Sequence, residues 1–249
     1  LRLGSEAWRV RASFLPGPGA SVQQRLETFG MHRIDLAAGA VLEKGCVYVV
    51  PLLESLSLKH RTSAMANPKS STGRLDVFTR LITDGSTSFD HVAAGYRGPL
   101  FAEISPRTFS IVVRRGTSVS QLRLRRGSPP ATDTALRRLH RDVPLVDAGR
   151  ADGEGRADRA DIDEGIAVTV DLTPHDGRPV GWRARRHAGL IDLGRIDHYE
   201  PADFWEPVVP DAQGGVVLDP GEISAFLAKK AANGHSETPA DPAPLEKAE

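Results

Sequence analysis

Two places in this chain combine residue types that could do chemistry. The first is Asn67-Pro68-Lys69-Ser70-Ser71-Thr72-Gly73-Arg74. Ser70 and Ser71 can donate hydrogen bonds, Lys69 and Arg74 bring positive charge, and Gly73 lets backbone amides approach an anion. The segment is therefore suited to the oxygens of a triphosphate. The same residues would equally make an ordinary polar turn between strands, with Arg74 paired to Asp76 or another acid. The second place is Glu103, a single carboxylate in the apolar run Leu100-Phe101-Ala102-Glu103-Ile104, which follows the turn-like Gly95-Tyr96-Arg97-Gly98. Buried, such a group is a candidate proton shuttle; on the outward face of an alternating strand it is only a solvated charge.

Both places must be positioned by strands. Between residues 8 and 127, short β-branched runs such as Val47-Tyr48-Val49-Val50 and Ser110-Ile111-Val112-Val113 are punctuated by Gly, Pro and Asp, as in a sandwich or barrel. Ser120-Gln121-Leu122-Arg123-Leu124-Arg125 alternates with period two, the pattern of a strand with one buried face. Helical periodicity is scarce there. Farther on, Asp133 to Arg141 reads as one short helix, with Asp133 as N-cap and Leu136 and Leu139 spaced three apart. Residues 147–164 are rich in Asp, Gly, Arg and Ala without apolar periodicity and read as a solvated boundary. Beyond them Trp8-Arg9-Val10-Arg11 is echoed by Trp182-Arg183-Ala184-Arg185, and Leu42-Glu43-Lys44-Gly45 by Leu218-Asp219-Pro220-Gly221, in the same order.

Composition removes several classes. The 249 residues carry 32 basic and 32 acidic side chains, so no global field favours nucleic acid or an acidic membrane, and an anion must be bound locally. Cys46 is the single cysteine, which rules out internal disulfides and cysteine-based zinc sites and fits a reducing, cytoplasmic setting. No apolar run is long enough to span a bilayer. The chain starts without Met, inside what reads as a strand ending at Gly4, the mark of a fragment. A zinc deaminase motif, a Walker loop, a dinucleotide glycine fingerprint and a nucleophile elbow are all missing. Asp161, Asp163 and Glu164 could ligate a hard cation, but their setting favours a solvated face and they are assigned no role.

Taken together, Lys69-Ser70-Ser71-Thr72-Gly73-Arg74, the turn Gly95-Tyr96-Arg97-Gly98, Glu103 on the following strand and Gly116-Thr117-Ser118-Val119-Ser120-Gln121-Leu122 resemble the dCTP deaminase and dUTPase superfamily. The likeness is to its double-length bacterial dCTP deaminases, with Lys69 where Arg is usual, and it covers residues 1 to about 220. It implies a mainly β, dUTPase-like β-barrel or jelly roll, as a tandem repeat with the second copy incomplete. The expected division is a deaminase-like β domain over 1–128, a helical and flexible connector over 129–164, the start of a second related domain over 165–228, and a disordered tail over 229–249.

The resemblance also implies a chemistry: hydrolysis of the cytosine 4-amino group of dCTP without a metal-bound hydroxide. Carried over, Glu103 is the acid/base, Ser70 helps hold the water, Arg74 orients the site, Lys69 and Ser71 bind phosphate, and Tyr96 and Gln121 complete the substrate-binding set. No cofactor is implied for the chemistry itself, only Mg accompanying the triphosphate. The implied partners are dCTP and dUTP and further copies of the chain in a trimer-like homo-oligomer, with neither nucleic acid nor membrane. A dUTP diphosphatase is the nearest alternative, yet neither Asp of its hairpin, the first of which activates water, is present in Ala93-Ala94-Gly95-Tyr96; single-domain deaminases commonly carry the same Asp, for which Asp84 or Asp90 would stand in here. A third reading is a catalytically inactive β domain that binds nucleotide or serves as a scaffold.

Overall fold

The computed structural model describes residues 1–127, 132–146, 161–167, 172, 178–218 and 224–226. Its first part runs β1 (Glu6–Val10), α1 (Val22–Phe29), β2 (Gly30–Asp35), β3 (Ala40–Leu42), β4 (Val47–Ser57), β5 (Thr62–Pro68), α2 (Ser70–Arg74), β6 (Val77–Thr83), β7 (His91–Val92), β8 (Arg97–Pro106), β9 (Ile111–Val113) and β10 (Ser120–Arg126). After it come α3 (Asp133–Asp142), β11 (Gly181–Ala184), β12 (Ile191–Asp192), α4 (Pro201–Phe204), β13 (Trp205–Val208) and β14 (Ser224–Phe226). The described chain is mainly β, as its β-branched runs predict. No helix among the described residues is long and apolar enough to cross a membrane.

The largest sheet has the order β2-β1-β4-β8-β6 and is antiparallel throughout. β8 is covered on both faces, which is why its sequence reads as a nearly continuous apolar run. Ala102 and Ile104 join a cluster with Leu3, Leu42, Val77 and Ile111, while Phe101 joins Val10, Phe14, Leu26, Val49 and Ile82. Glu103 lies between these residues in sequence and across from Val49 on β4 and Arg80 on β6.

Two helices depart from the strand-only expectation. α1 is held by a capping box: Ser21 Oγ accepts from the Gln24 N–H at 3.2 Å and Gln24 Oε1 accepts from the Ser21 N–H at 2.8 Å. Only Val22 and Leu26 are buried on it, too few for a periodic signal, although Ser21-Val22-Gln23-Gln24 is a readable cap signature. α2 replaces the expected open loop. The connector helix forms where expected, but its N-cap is Thr132, whose hydroxyl accepts from the Ala135 N–H at 3.2 Å, so Asp133 sits inside the first turn. Most of the 147–164 boundary and all of the 229–249 tail lie outside the described residues, along with Asp219-Pro220-Gly221 of the second echo.

The later part repeats geometry of the first. Trp8 faces Arg33 on β2, and Trp182 faces Pro207 on β13 at the same sequence separation; Trp8 also faces Val49 on β4, as Trp182 faces Ala225 on β14. In each case a helix runs straight into the flanking strand. The residue after the Trp strand then closes onto the helix end, Arg11 N–H to Phe29 C=O at 3.0 Å and Arg185 N–H to Phe204 C=O at 2.8 Å. The echo in sequence is thus an echo in register. The two parts share a core: Ala184, Ile191 and Phe204 belong to the cluster around Leu3 and Ile111, and β12 pairs in parallel with β9.

Candidate active site

β5 carries the chain into the Asn67–Arg74 segment and stops at Pro68, whose ring fixes the backbone and offers no N–H. Lys69 then caps α2 through its backbone alone, its N–H reaching the Val119 carbonyl at 3.0 Å and its own carbonyl accepting from Gly73 at 2.9 Å. Gly73 therefore acts as an exposed helical residue with open space around it, not as a close-approach point. Thr72 and Leu75 bury one side of the turn, leaving Ser70 and Arg74 exposed and Lys69 and Ser71 half-buried. Arg74 does not pair with Asp76. That carboxylate accepts from the Thr108 hydroxyl at 2.8 Å, and among the described residues neither Lys69 nor Arg74 is in an ion pair. Two unpaired cations and two serines thus stand on one short turn. Gln121 is adjacent, since β10 pairs with β5 so that Gln121 faces Asn67.

Glu103 lies in the other sheet, at the middle of the ladder that β8 forms with β6. It is 1% exposed. Its Oε1 accepts from Arg80 Nε at 3.0 Å and from Arg80 Nη2 as well, whereas its Oε2 is buried with no protein hydrogen-bond partner. Arg80 is itself held: Nη2 donates to Ser13 Oγ at 2.9 Å, and the guanidinium lies 3.6 Å from the Phe89 ring centroid and 4.8 Å from that of Phe78. Phe78 is 49% exposed on the edge strand β6, so the pair approaches the surface from the Arg80 side.

The two acids floated as stand-ins have distinct fates. Asp84 accepts from the Val22 N–H at 2.7 Å and so caps α1. Asp90 adopts a left-handed backbone (φ 61°), from which its N–H meets the Leu81 carbonyl and its Oδ1 accepts from the Leu81 N–H at 2.8 Å. Burial raises its pKa above the usual carboxylate range; the Leu81 bond and the Arg80 charge oppose this, and the charge of Glu103 adds to it. Asp90 thus feels both members of the Arg80–Glu103 pair. Tyr96 has its hydroxyl engaged locally, donating to the Pro99 carbonyl at 2.6 Å and accepting from the Asp84 N–H at 3.3 Å. Gly95 gives this turn its shape, with φ 78° and a Cβ position only 3.3 Å from His60 Cα.

Within one chain, no hydrogen bond or ion pair among the described residues joins Glu103 to Lys69–Arg74. α2 meets the ladder at Val77 opposite Pro106, and Arg80 opposite Glu103 is three rungs on, about 10 Å along the strand. The residue that sequence reading missed is Arg80. Its signal was present: a single charge in the apolar strand Val77-Phe78-Thr79-Arg80-Leu81-Ile82, the same pattern that singled out Glu103. Among the described residues, no three His, Cys, Asp or Glu side chains come together as a metal ligand set.

Two family models match in succession, the 2'-deoxycytidine 5'-triphosphate deaminase (DCD) N-terminal domain over residues 1–128 and the C-terminal domain over residues 132–248. The chain is also similar to the crystal structure of 2'-deoxycytidine 5'-triphosphate deaminase from Agrobacterium tumefaciens, with 47% identity and a TM-score of 0.80. That match covers 89% of this chain and 64% of the other, so this chain spans less than two thirds of that relative's length. No curated protein matches.

Proposed function

Because the chain belongs to the 2'-deoxycytidine 5'-triphosphate deaminase family, we propose that it hydrolyses dCTP to dUTP and ammonia. The observation that carries this reading is the carboxylate of Glu103, buried among apolar side chains with one oxygen held by Arg80 and the other free of protein partners. In the reaction, Glu103 takes a proton from water as the water oxygen adds to C4 of cytosine, and passes that proton to N3. The C4–N bond then breaks as the C4 hydroxyl gives its proton, through Glu103, to the departing amine, so that ammonia leaves and the C4 carbonyl of uracil remains.

Lys69, Ser70, Ser71 and Arg74 serve the triphosphate and the water, with Ser70 on the water, Arg74 orienting the site and Lys69 and Ser71 on phosphate. The unpaired charge of Lys69 and Arg74, the exposed Ser70 and the half-buried Ser71 support that assignment. Tyr96 and Gln121 complete the substrate contacts, Gln121 from beside Asn67. Mg bound with the triphosphate would supply charge neutralisation there; the protein's part is to orient the phosphates through Lys69 and Arg74. The edge strand β6, with half-exposed Phe78 beside Arg80, supports a trimer-like homo-oligomer whose copies meet near the site. The single free cysteine supports a cytoplasmic setting.

Incubation with dCTP and with dUTP, measuring ammonia and pyrophosphate, tests the reading. Ammonia from dCTP is expected, reduced about 100-fold or more in Glu103→Gln. Pyrophosphate from dUTP would instead assign a diphosphatase, and saturable nucleotide binding without either product would leave a binding domain.

A further inference from the structure

Arginine–carboxylate pairs are normally matched fork to fork, one N–H to each oxygen. The chain has such a pair in Arg114 and Asp192, where Nη1 donates to Oδ1 at 2.6 Å and Nη2 to Oδ2 at 2.8 Å. The pair of Arg80 and Glu103 is built differently. Both of its hydrogen bonds, from Nε and Nη2, converge on Oε1, and Oε2 is left buried without a protein partner. A buried polar atom that no protein group satisfies is costly and therefore rare, and a catalytic role is one of the reasons a fold retains one.

The offset is enforced from the Arg80 side. Its guanidinium is stacked on Phe89, flanked by Phe78 two residues earlier on the same strand, and tied to Ser13 by the Nη2 atom that also reaches Glu103. A planar group clamped at its face and at one corner cannot swing to spread its donors over both oxygens. On the other flank Glu103 faces Val49, whose side chain has nothing to donate.

Resting on the deaminase reading, we propose that Arg80 is a positioning residue that assigns the two oxygens of Glu103 separate tasks, Oε1 to be held and Oε2 to carry the proton between water and N3. Arg80 touches no substrate atom in this arrangement. It acts through Glu103 by removing one oxygen from competition and fixing the plane of the carboxylate. The aromatic slot of Phe89 and Phe78 is the part of the device that makes arginine, rather than lysine, the required cation, since an ammonium has neither the plane to stack nor the fork to converge.

The test uses the full chain and dCTP, with ammonia release as readout. The wild-type protein comes first, because a wild type that releases no ammonia refutes the deaminase reading itself. Given turnover, Arg80→Ala is expected to lose about 100-fold in kcat with KM changed less than threefold, since the lost contact is to Glu103 and not to substrate. Millimolar ethylguanidinium should restore part of that kcat by refilling the slot. Arg80→Lys, which keeps the charge and guards against a folding defect in the alanine variant, is expected to lose about 10-fold in kcat. Three results would overturn the proposal: wild-type kcat in Arg80→Lys, a rise in KM at constant kcat in a folded Arg80→Ala, or an alanine variant that binds dCTP normally yet gains nothing from ethylguanidinium.

Discussion

At the scale of single residues, Asp192 and Glu103 show that the same chemical pair serves different ends according to which atoms are satisfied. Asp192 is 7% exposed, uses both oxygens on Arg114, and accepts from the Gly194 N–H at 2.9 Å. The Arg114 hydrogen bonds outweigh the opposing effect of burial and hold its pKa down to about 2, below the ordinary carboxylate value of 3.8. A carboxyl whose pKa is lowered by folding stabilises the fold above its ordinary value, and that contribution is lost as pH falls through the folded value. Asp192→Asn should therefore unfold a few degrees below wild type at pH 7, and the gap should close as thermal melts are taken from pH 4 down to 2. Glu103, by contrast, uses one oxygen, and the expected loss in Glu103→Gln is in turnover.

Elements decide what those residues can face. α2 turns a segment that reads as a loop into a five-residue helix, so its serines and cations are set by helical spacing rather than by a flexible glycine loop. Thr72 and Leu75 anchor the turn in the core, and the remaining side chains are presented outward. If this turn serves the triphosphate, Lys69→Ala should raise KM for dCTP about 10-fold, the size of one charge-assisted hydrogen bond. The effect should shrink as salt is raised, while kcat stays near wild type; steady-state kinetics at two ionic strengths reads both. α1 was hidden for a different reason: with only Val22 and Leu26 buried, its stability comes from Ser21, Gln24 and Asp84 at its start, and the Asp84 contact joins residues distant in sequence.

At the scale of the whole molecule, the part after residue 178 is built into the first core. Phe204 packs edge-on to Phe109 with ring centroids 5.8 Å apart, Trp205 does so at 5.6 Å, and β12 extends the sheet of β9 and β3. The ring of Phe109 is almost fully buried between β9 and these residues. Phe204→Ala should therefore cost about 3 kcal/mol and lower the melting midpoint by roughly 10 °C. Because Trp205 shares that contact, the loss should also shift the tryptophan fluorescence of the folded protein, and wild-type emission in the variant would argue against a shared core.

By itself the sequence determined what depends on local pattern. Alternation and β-branching place the strands, Gly95 and its neighbours mark the turn before β8, an isolated acid in an apolar run singles out Glu103, and the repeated Trp-Arg-x-Arg announces geometry that recurs in register at β1 and β11. Only the tertiary structure decided which partner each charge meets, because β-sheet neighbours are set by long-range register. Arg80 and Glu103 come together when β6 and β8 pair, Arg114 meets Asp192 across β9 and β12, and Arg74 is left without the Asp76 partner that proximity in sequence suggests. Local spacing can single out a carboxylate in an apolar run; it takes the fold to show that it is buried, with one oxygen held and the other not.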